Sequence, residues 1–234
     1  MALPKLNTPT YELVQPSTGN TIKYRPFLVK EQKVLMIAQD TGNQKDMIKA
    51  VSDMVKNCTF GAFDKPEELP IYDIEYMFLI LRSKSAGETI NLNILCEDDG
   101  KTRVPVTINI DDIKVDDSKK QDGTIQLTDD IGITMRYPSV KDVLKFKNYD
   151  DTVSVSFDVI KSCTTNIFDK DQVYDEFSDE EITDFLETMN STQLEMIQEF
   201  LESVPKLKHE IKFTNPNTNV ENKVTLDGLT SVLG

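Results

Sequence analysis

The segment VKNCTFGAFDK at residues 55–65 returns as IKSCTTNIFDK at residues 160–170, with six identical residues in eleven positions. Upstream, RPFLVKE at 25–31 matches RYPSVKD at 136–142, where the arginine, valine and lysine are identical. The paired segments lie 105 residues apart in the first case and 111 residues apart in the second. Such self-similarity at a nearly constant spacing is typical of a duplicated structural unit.

Two further matches follow in the same order along the chain. IEYMFLILRS at 74–83 resembles LEMIQEFLES at 194–203 in its apolar spacing, and TINIDDI at 107–113 resembles KVTLDGL at 223–229. Four matches in one order, with changes of spacing that fall in loops, favour duplication over chance. Each half of the chain can therefore be interpreted with help from the other.

The periodicity of each half predicts an α+β fold. Residues 44–57 carry apolar side chains at i, i+1, i+4, i+7 and i+8, which predicts a helix. Their counterpart at 153–163 alternates at first like a strand, but the repeat favours a helix. A longer helix and a closing hairpin then follow in each half. In the first half they are predicted at 70–83 and 89–110, and in the second half at 191–203 and 209–229. We predict two tandem, divergent β-α-α-α-hairpin units with short strands.

Composition divides the chain into four parts. Residues 1–19 contain three prolines and are interpreted as an extended arm, and residues 116–130 are interpreted as a linker. The two units then span 20–115 and 131–234. The second unit has a helical insertion near 171–190, where the sequence Ser178-Asp-Glu-Glu181 is a capping box that begins an extra helix.

The charge of the chain favours protein partners over nucleic acid or membrane. It has 40 acidic and 26 basic residues, a formal charge of −14, and such a surface repels phosphate backbones and anionic lipid. Its three cysteines cannot all pair within one chain, and the beginning of the sequence lacks a basic segment followed by an apolar run. We expect reduced thiols and a cytosolic protein.

No residue pattern indicates an enzyme, a metal site or a cofactor. The single histidine, His209, has no nearby partners for nucleophilic catalysis, and no phosphate-binding glycine motif occurs. The paired acidic residues lie at turns and helix starts, where capping explains them. Cys58 and Cys163 each end a helix and are interpreted as packing residues. Cys96 precedes a turn where a zinc knuckle would need a second cysteine, and Asp99 stands there instead.

The opening MALPKLNTPTYELVQPSTGNTIKYRPFLVKEQKVLMIA at 1–38 and the segment LPIYDIEYMFLILRSKSAGE at 69–88 resemble the baseplate hub and hub assembly proteins of T-even-like (myovirus) phages. The resemblance covers most of the chain and is strongest over residues 1–115. It implies a late viral protein, made in the host bacterial cytoplasm, that is needed to assemble the central hub of the tail baseplate. Some relatives carry paired cysteines in the hairpins, which implies a degenerate zinc-ribbon-like hairpin closing each unit here.

This reading predicts that the chain binds other baseplate hub and tail proteins, and no nucleic acid, membrane or small molecule. The arm is expected to become ordered on the partner through its apolar side chains. Relatives tend to end in an aromatic pair after the Gly-Leu, where this chain continues from Leu229 to Leu233 without one. The predicted partner-binding residues are Leu3, Leu6, Tyr11, Leu13, Leu229, Val232 and Leu233. Two roles stay open, a hub subunit of the finished baseplate and an assembly chaperone that leaves before the virion is complete.

An acidic protein of this kind could also mimic DNA and block a host enzyme. That role requires carboxylates spaced regularly along one face, whereas the acidic residues of this chain are scattered at the ends of predicted elements. The sequence therefore favours a role in binding other phage proteins.

Overall fold

The computed structural model describes residues 6–145 and 152–228, which contain seven α-helices and eleven short strands. All strand pairs in this part of the chain are antiparallel. The chain forms two compact units. Unit 1 takes its residues from the chain up to Asp116 and again from Lys206 onward, and unit 2 lies between, from Asp117 to Pro205. Over the described residues, no helix combines the length and the apolar character needed to cross a membrane.

Unit 1 begins with a hairpin, continues with three helices, and ends with two longer hairpins. In chain order its elements are β1 (Tyr11–Val14), β2 (Thr21–Tyr24), α1 (Val29–Asp40), α2 (Gln44–Cys58), α3 (Ile71–Ala86), β3 (Thr89–Leu95), β4 (Arg103–Asn109), β5 (Lys114–Asp116), β10 (Lys206–Thr214) and β11 (Glu221–Asp227). The strands form the pairs β1–β2 and β3–β4 and a three-stranded sheet in the order β11-β10-β5.

The core of unit 1 joins α3 to the later hairpins. Burial alternates along β10, so that Leu207 and Ile211 face inward while their neighbours in the strand do not, as expected for a sheet covered on one face. The buried cluster they join contains Leu79, Ile90, Ile108, Ile110, Ile113, Leu207, Ile211 and Leu226. Apolar burial of this kind contributes about 25 cal/mol per Å² and is the main force that stabilises the unit.

The division of the chain into units at 20–115 and 131–234 is therefore wrong for the closing hairpin. β10 and β11 belong to unit 1, because Leu207, Ile211 and Leu226 pack in the same cluster as α3. Backbone pairing fixes the return of the chain, since Lys206 on β10 lies opposite Asp116 on β5. The predicted linker at 116–130 is also shorter than expected, because it includes the end of β5 and a further strand.

Over its described residues, unit 2 contains four strands and four helices, and its first strand lies within the predicted linker. In chain order its elements are β6 (Thr124–Gln126), β7 (Gly132–Met135), α4 (Val140–Lys145), α5 (Thr152–Cys163), β8 (Thr164–Phe168), β9 (Val173–Tyr174), α6 (Asp179–Glu187) and α7 (Ser191–Glu202). The strands form one sheet in the order β6-β7-β8-β9. The helix expected at 153–163 is present as α5, and the capping box at Ser178 and Glu181 begins α6 as predicted.

One strand of unit 2 was not predicted from the sequence. The five residues after Cys163 form β8 and pair with β7, and Asp169 and Lys170 follow outside the strand. Helix α7 is held by an aromatic pair, because the ring of Tyr137 stacks on that of Phe200 with a centroid distance of 4.7 Å. The Tyr137 hydroxyl lies 3.1 Å from the buried Ser203 hydroxyl, so α7 is fixed by both an apolar and a polar contact.

An arginine in unit 1 ties three elements together. The Arg25 backbone N–H donates a hydrogen bond to the Cys58 carbonyl at 2.9 Å, which joins the end of β2 to the end of α2. Its guanidinium donates to the buried Glu31 carboxylate in the first turn of α1 at 2.8 Å and to the Asn57 carbonyl at 3.4 Å. A buried carboxylate is tolerated when it is paired in this way.

The matching arginine of unit 2 makes the same set of contacts. The Arg136 backbone N–H donates to the Cys163 carbonyl at 2.8 Å. Its guanidinium donates to the buried Asp142 carboxylate in α4 at 2.5 Å and to the Ser162 carbonyl at 2.7 Å. These contacts connect RPFLVKE with VKNCTFGAFDK in one unit, and RYPSVKD with IKSCTTNIFDK in the other. The two most similar pairs of segments in the sequence are thus the segments that these arginine contacts join within each unit.

The two carboxylates in these contacts have lowered pKa values. Burial opposes the ionisation of Glu31, but hydrogen bonds from Arg25 and from the Leu28 N–H lower its pKa below the ordinary 4.5. Burial likewise opposes the ionisation of Asp142, and hydrogen bonds from Arg136 and Ser139 lower its pKa below 3.8. A carboxyl group whose pKa is lower in the folded than in the unfolded protein stabilises the fold at any pH above its unfolded-state pKa. This stabilisation is lost as the pH falls through its folded-state pKa.

We predict that the variant E31Q/D142N is less stable than the wild type at neutral pH and loses less stability on acidification. Urea unfolding over a pH series from about 7 to about 3 measures both effects. The wild-type free energy of unfolding should fall more steeply below about pH 4.5 than that of the variant. The exposed E195Q change serves as the control and should follow the wild type. Parallel pH profiles for E31Q/D142N and wild type would contradict the prediction.

Candidate protein-binding site

The N-terminal segment is a folded hairpin from residue 11 onward. β1 pairs with β2 in a register that places Tyr11 opposite Tyr24 and Leu13 opposite Ile22. Leu13 and Tyr24 are buried, and the rings of Tyr11 and Tyr24 lie 5.6 Å apart. The expectation of an extended arm over 1–19 is therefore wrong for residues 11–19, because the hairpin contributes a side chain to the core.

A buried carboxylate anchors this hairpin on α3. Asp73, in the first turn of α3, is fully buried. It accepts hydrogen bonds from the Ser17 N–H at 2.9 Å, the Ser17 hydroxyl at 2.5 Å and the Gln15 amide at 2.6 Å. The turn of the hairpin supplies all three donors, so the position of β1 and β2 is set by contacts that a short peptide could not make alone.

A groove of about 450 Å³ lies between the hairpin and α3. Its walls are partly apolar and partly polar. The lining residues are Glu12, Leu13, Val14, Thr21, Tyr24, Tyr76, Ile80, Ser83, Lys84 and Asp111. A groove of this composition beside exposed apolar side chains is typical of a surface that receives a protein segment.

The predicted partner-binding residues differ in their accessibility. Leu6 is 96% exposed and Tyr11 is 37% exposed, and the neighbouring Val14 is 54% exposed. Leu13 is 5% exposed, because alternate residues of a strand face opposite sides, and it is a core residue instead of a contact residue. The remaining predicted residues lie outside the described part of the chain, and they are Leu3, Leu229, Val232 and Leu233.

A further apolar surface on α1 was missed in the sequence. Val29, Val34, Met36 and Ile37 are each at least half exposed, although a soluble helix normally turns such residues toward the core. The signal was present in the sequence, because VLMIA at 34–38 is an apolar run of five residues. A helix cannot bury five consecutive side chains on one face, so some of them had to remain on the surface.

The turns of two hairpins meet in a network of side-chain hydrogen bonds within unit 1. The buried Asn215 amide donates to both Asp98 oxygens, at 3.0 and 3.1 Å, and to Asp99 at 3.0 Å. Asn222 donates to Asp98 at 2.9 Å, and the Thr218 hydroxyl donates to the same carboxylate. Asp98 and Asp99 belong to the turn after β3, so the network joins the turn of β3–β4 to the turn of β10–β11.

The thiol of Cys96 lies beside these carboxylates. One donor atom from each of Cys96, Asp98 and Asp99 falls within 4.8 Å of the others. Hydrogen bonds from Thr218 and Asn215 lower the pKa of Asp98, and those from Thr102 lower the pKa of Asp99. Burial and the two carboxylates raise the pKa of the Cys96 thiol. The arrangement is that of a protonated thiol next to two carboxylates whose oxygens accept hydrogen bonds from amides and hydroxyls.

The other two cysteines are buried under the arginine contacts. Burial raises the pKa of Cys58 to about 11 and that of Cys163 to about 12. Because the thiolate is the reactive form, both side chains are protonated and unreactive at neutral pH.

A family model described as T4 bacteriophage base plate protein matches residues 8–234. No curated protein matches the chain, and no solved structure does. The matched range includes the N-terminal hairpin, both arginine contacts and the joined hairpin turns.

We predict that Asn215→Ala lowers the free energy of unfolding by about 1–3 kcal/mol, because it removes hydrogen bonds to two carboxylates. Chemical denaturation of the variant and the wild type measures the change. Asn91→Ala is the matched control, since Asn91 on β3 accepts an exposed cross-strand hydrogen bond from the Thr107 hydroxyl on β4. A loss for Asn215→Ala no larger than that for Asn91→Ala would show that the joined turns contribute little to stability.

Proposed function

Because the chain belongs to the T4 bacteriophage base plate protein family, we propose that it is a non-enzymatic subunit of the central hub of a phage tail baseplate. Family membership makes it a phage baseplate protein with a structural or assembly role. The more specific assignment to the hub is our proposal, and it is based on the resemblance of residues 1–38 and 69–88 to hub proteins. The chain would be made in the host cytoplasm and act by binding other hub and tail proteins.

The observation that supports binding is the apolar surface of unit 1. Leu6 before the N-terminal hairpin and Tyr11 and Val14 within it are exposed, and so are Val29, Val34, Met36 and Ile37 on α1. Exposed apolar side chains that are grouped on one element mark protein-binding surfaces. They are unusual in a chain whose formal charge of −14 otherwise favours contact with water.

The use of the polar groups supports a non-enzymatic role. Glu31, Asp73 and Asp142 are buried and each joins two or more elements by hydrogen bonds. Asp98 and Asp99 join two hairpin turns. All five carboxylates make hydrogen bonds that join parts of the fold. A catalytic carboxylate has to be accessible to a substrate, and Glu31, Asp73 and Asp142 are buried.

The alternative is an assembly chaperone that holds hub proteins in solution and then leaves. The net charge of −14 supports this role, because a strongly charged chain keeps its complexes dispersed until assembly. Both roles use the same apolar surface and differ only in whether the chain remains in the particle.

We predict that M36Q/I37Q weakens copurification with coexpressed baseplate proteins at least about tenfold, which corresponds to about 1.4 kcal/mol of lost apolar contact. Both side chains are more than half exposed, so circular dichroism and thermal stability should stay near wild type. V220Q is the matched control, because Val220 is an exposed valine in the turn between β10 and β11. Wild-type copurification by M36Q/I37Q would contradict the proposed role of α1.

Quantitative mass spectrometry of purified virions separates the two roles. We predict that peptides of this chain are present in a fixed ratio to known baseplate proteins, as expected for a hub subunit. Their absence from virions, together with their presence in assembly intermediates, would show that the chain is a chaperone.

A further inference from the structure

The insertion of unit 2 builds a second groove, which has no counterpart in the repeated part of the sequence. It has a volume of about 330 Å³ and lies among β8, β9 and α6. Most of its walls are apolar or aromatic, and three carboxylates complete them. The lining residues are Ile131, Ile167, Phe168, Asp169, Tyr174, Glu176, Phe177, Glu181, Ile182 and Phe185.

Two local features fix the apolar floor. Phe168 on β8 pairs with Gly132 on β7, and a Cβ atom at residue 132 would approach the Phe168 ring to 2.1 Å. Glycine therefore allows this ring to lie directly against the backbone of β7. On the opposite side, α6 places Ile182 and Phe185 three residues apart, on the same face of the helix.

The charge around this groove is strongly negative. Residues 169–187 contain nine acidic residues and one lysine, a net charge of −8 out of −14 for the whole chain. Asp169, Glu176 and Glu181 are among the lining residues, so the negative charge stands beside the apolar floor. Asp169 and Glu181 also accept hydrogen bonds from their own turns, which keeps them ionised and in place.

We propose that this groove binds a segment of a partner protein in which apolar side chains are flanked by lysine or arginine. Apolar side chains would fill the floor formed by Phe168, Ile182 and Phe185, where they are removed from water. Cationic side chains would face the carboxylates, which attract them over a distance and favour the correct orientation. A purely apolar segment or an acidic one would not match this combination.

The site is independent of the hub assignment, because it can be measured on the isolated chain. The probe is a fluorescently labelled synthetic peptide of alternating leucine and lysine, titrated with the full chain and followed by anisotropy. A serine–lysine peptide of the same length retains the charge alone, and a leucine–serine peptide retains the apolar part alone. We expect the leucine–lysine peptide to bind at least about tenfold more tightly than either control. Equal binding of the serine–lysine peptide would overturn the proposal, since it would show general attraction to an acidic surface.

Matched variants test the position of the site. Glu176→Gln removes one lining carboxylate and should weaken binding of the leucine–lysine peptide about two- to fivefold. Glu195→Gln makes the same change on the exposed face of α7 and should leave binding unchanged. Tyr174→Ala, at a side chain that is 40% exposed, should weaken binding about tenfold while preserving the circular dichroism spectrum. Equal effects of Glu176→Gln and Glu195→Gln would place the peptide elsewhere and overturn the proposal.

A second copy of this chain is the competing occupant, because α1 also combines exposed apolar side chains with lysines. Analytical ultracentrifugation of the wild-type chain decides this point. We expect a monomer over the concentration range used for the peptide titration. Self-association that is lost in Glu176→Gln would assign the groove to a second copy and overturn the assignment to a different partner.

Discussion

The pairing of a buried carboxylate with an arginine is the contact on which each unit depends. Arg25 with Glu31, and Arg136 with Asp142, bring the end of a strand, the start of a short helix and the end of a second helix to one point. A buried charge that loses its partner is strongly destabilising, so neither member can be replaced alone without cost. The internal repeat is clearest in the four segments that make these contacts, and we propose duplication of one unit as the origin of that pattern.

The sequence predicted the elements better than it predicted their arrangement. Apolar periodicity predicted α2, α3 and α7, the capping box predicted α6, and the repeat corrected the misleading alternation in α5. The return of β10 to unit 1 could not be predicted in this way, because it depends on Leu207 and Ile211 packing in one cluster with Leu79, more than 120 residues earlier in the chain. Local pattern carries no information about which distant surface a hairpin will cover. The same limit applies to β8, which is a strand because β7 lies next to it.

The candidate binding site was likewise predicted only in part from the sequence. Leu6 and Tyr11 lie on the surface as expected, but Leu13 is buried, because residues two apart in a strand face the same side and adjacent residues face opposite sides. The apolar run in α1 was visible in the sequence, yet its exposure became apparent only when the positions of α2 and α3 were known. A binding surface of this kind consists of the apolar residues that the folded core leaves exposed, so it can be identified only when the packing of the core is known.

Backbone hydrogen exchange tests the central claim that this uncovered surface of unit 1 is the contact surface. The chain would be compared alone and in the complex that it forms with coexpressed baseplate proteins, by mass spectrometry of its peptides. We predict slower exchange in the complex for residues 6–14 and 29–40, which contain the N-terminal hairpin strand and α1. Unchanged exchange in both segments, in a complex that remains intact, would contradict the claim.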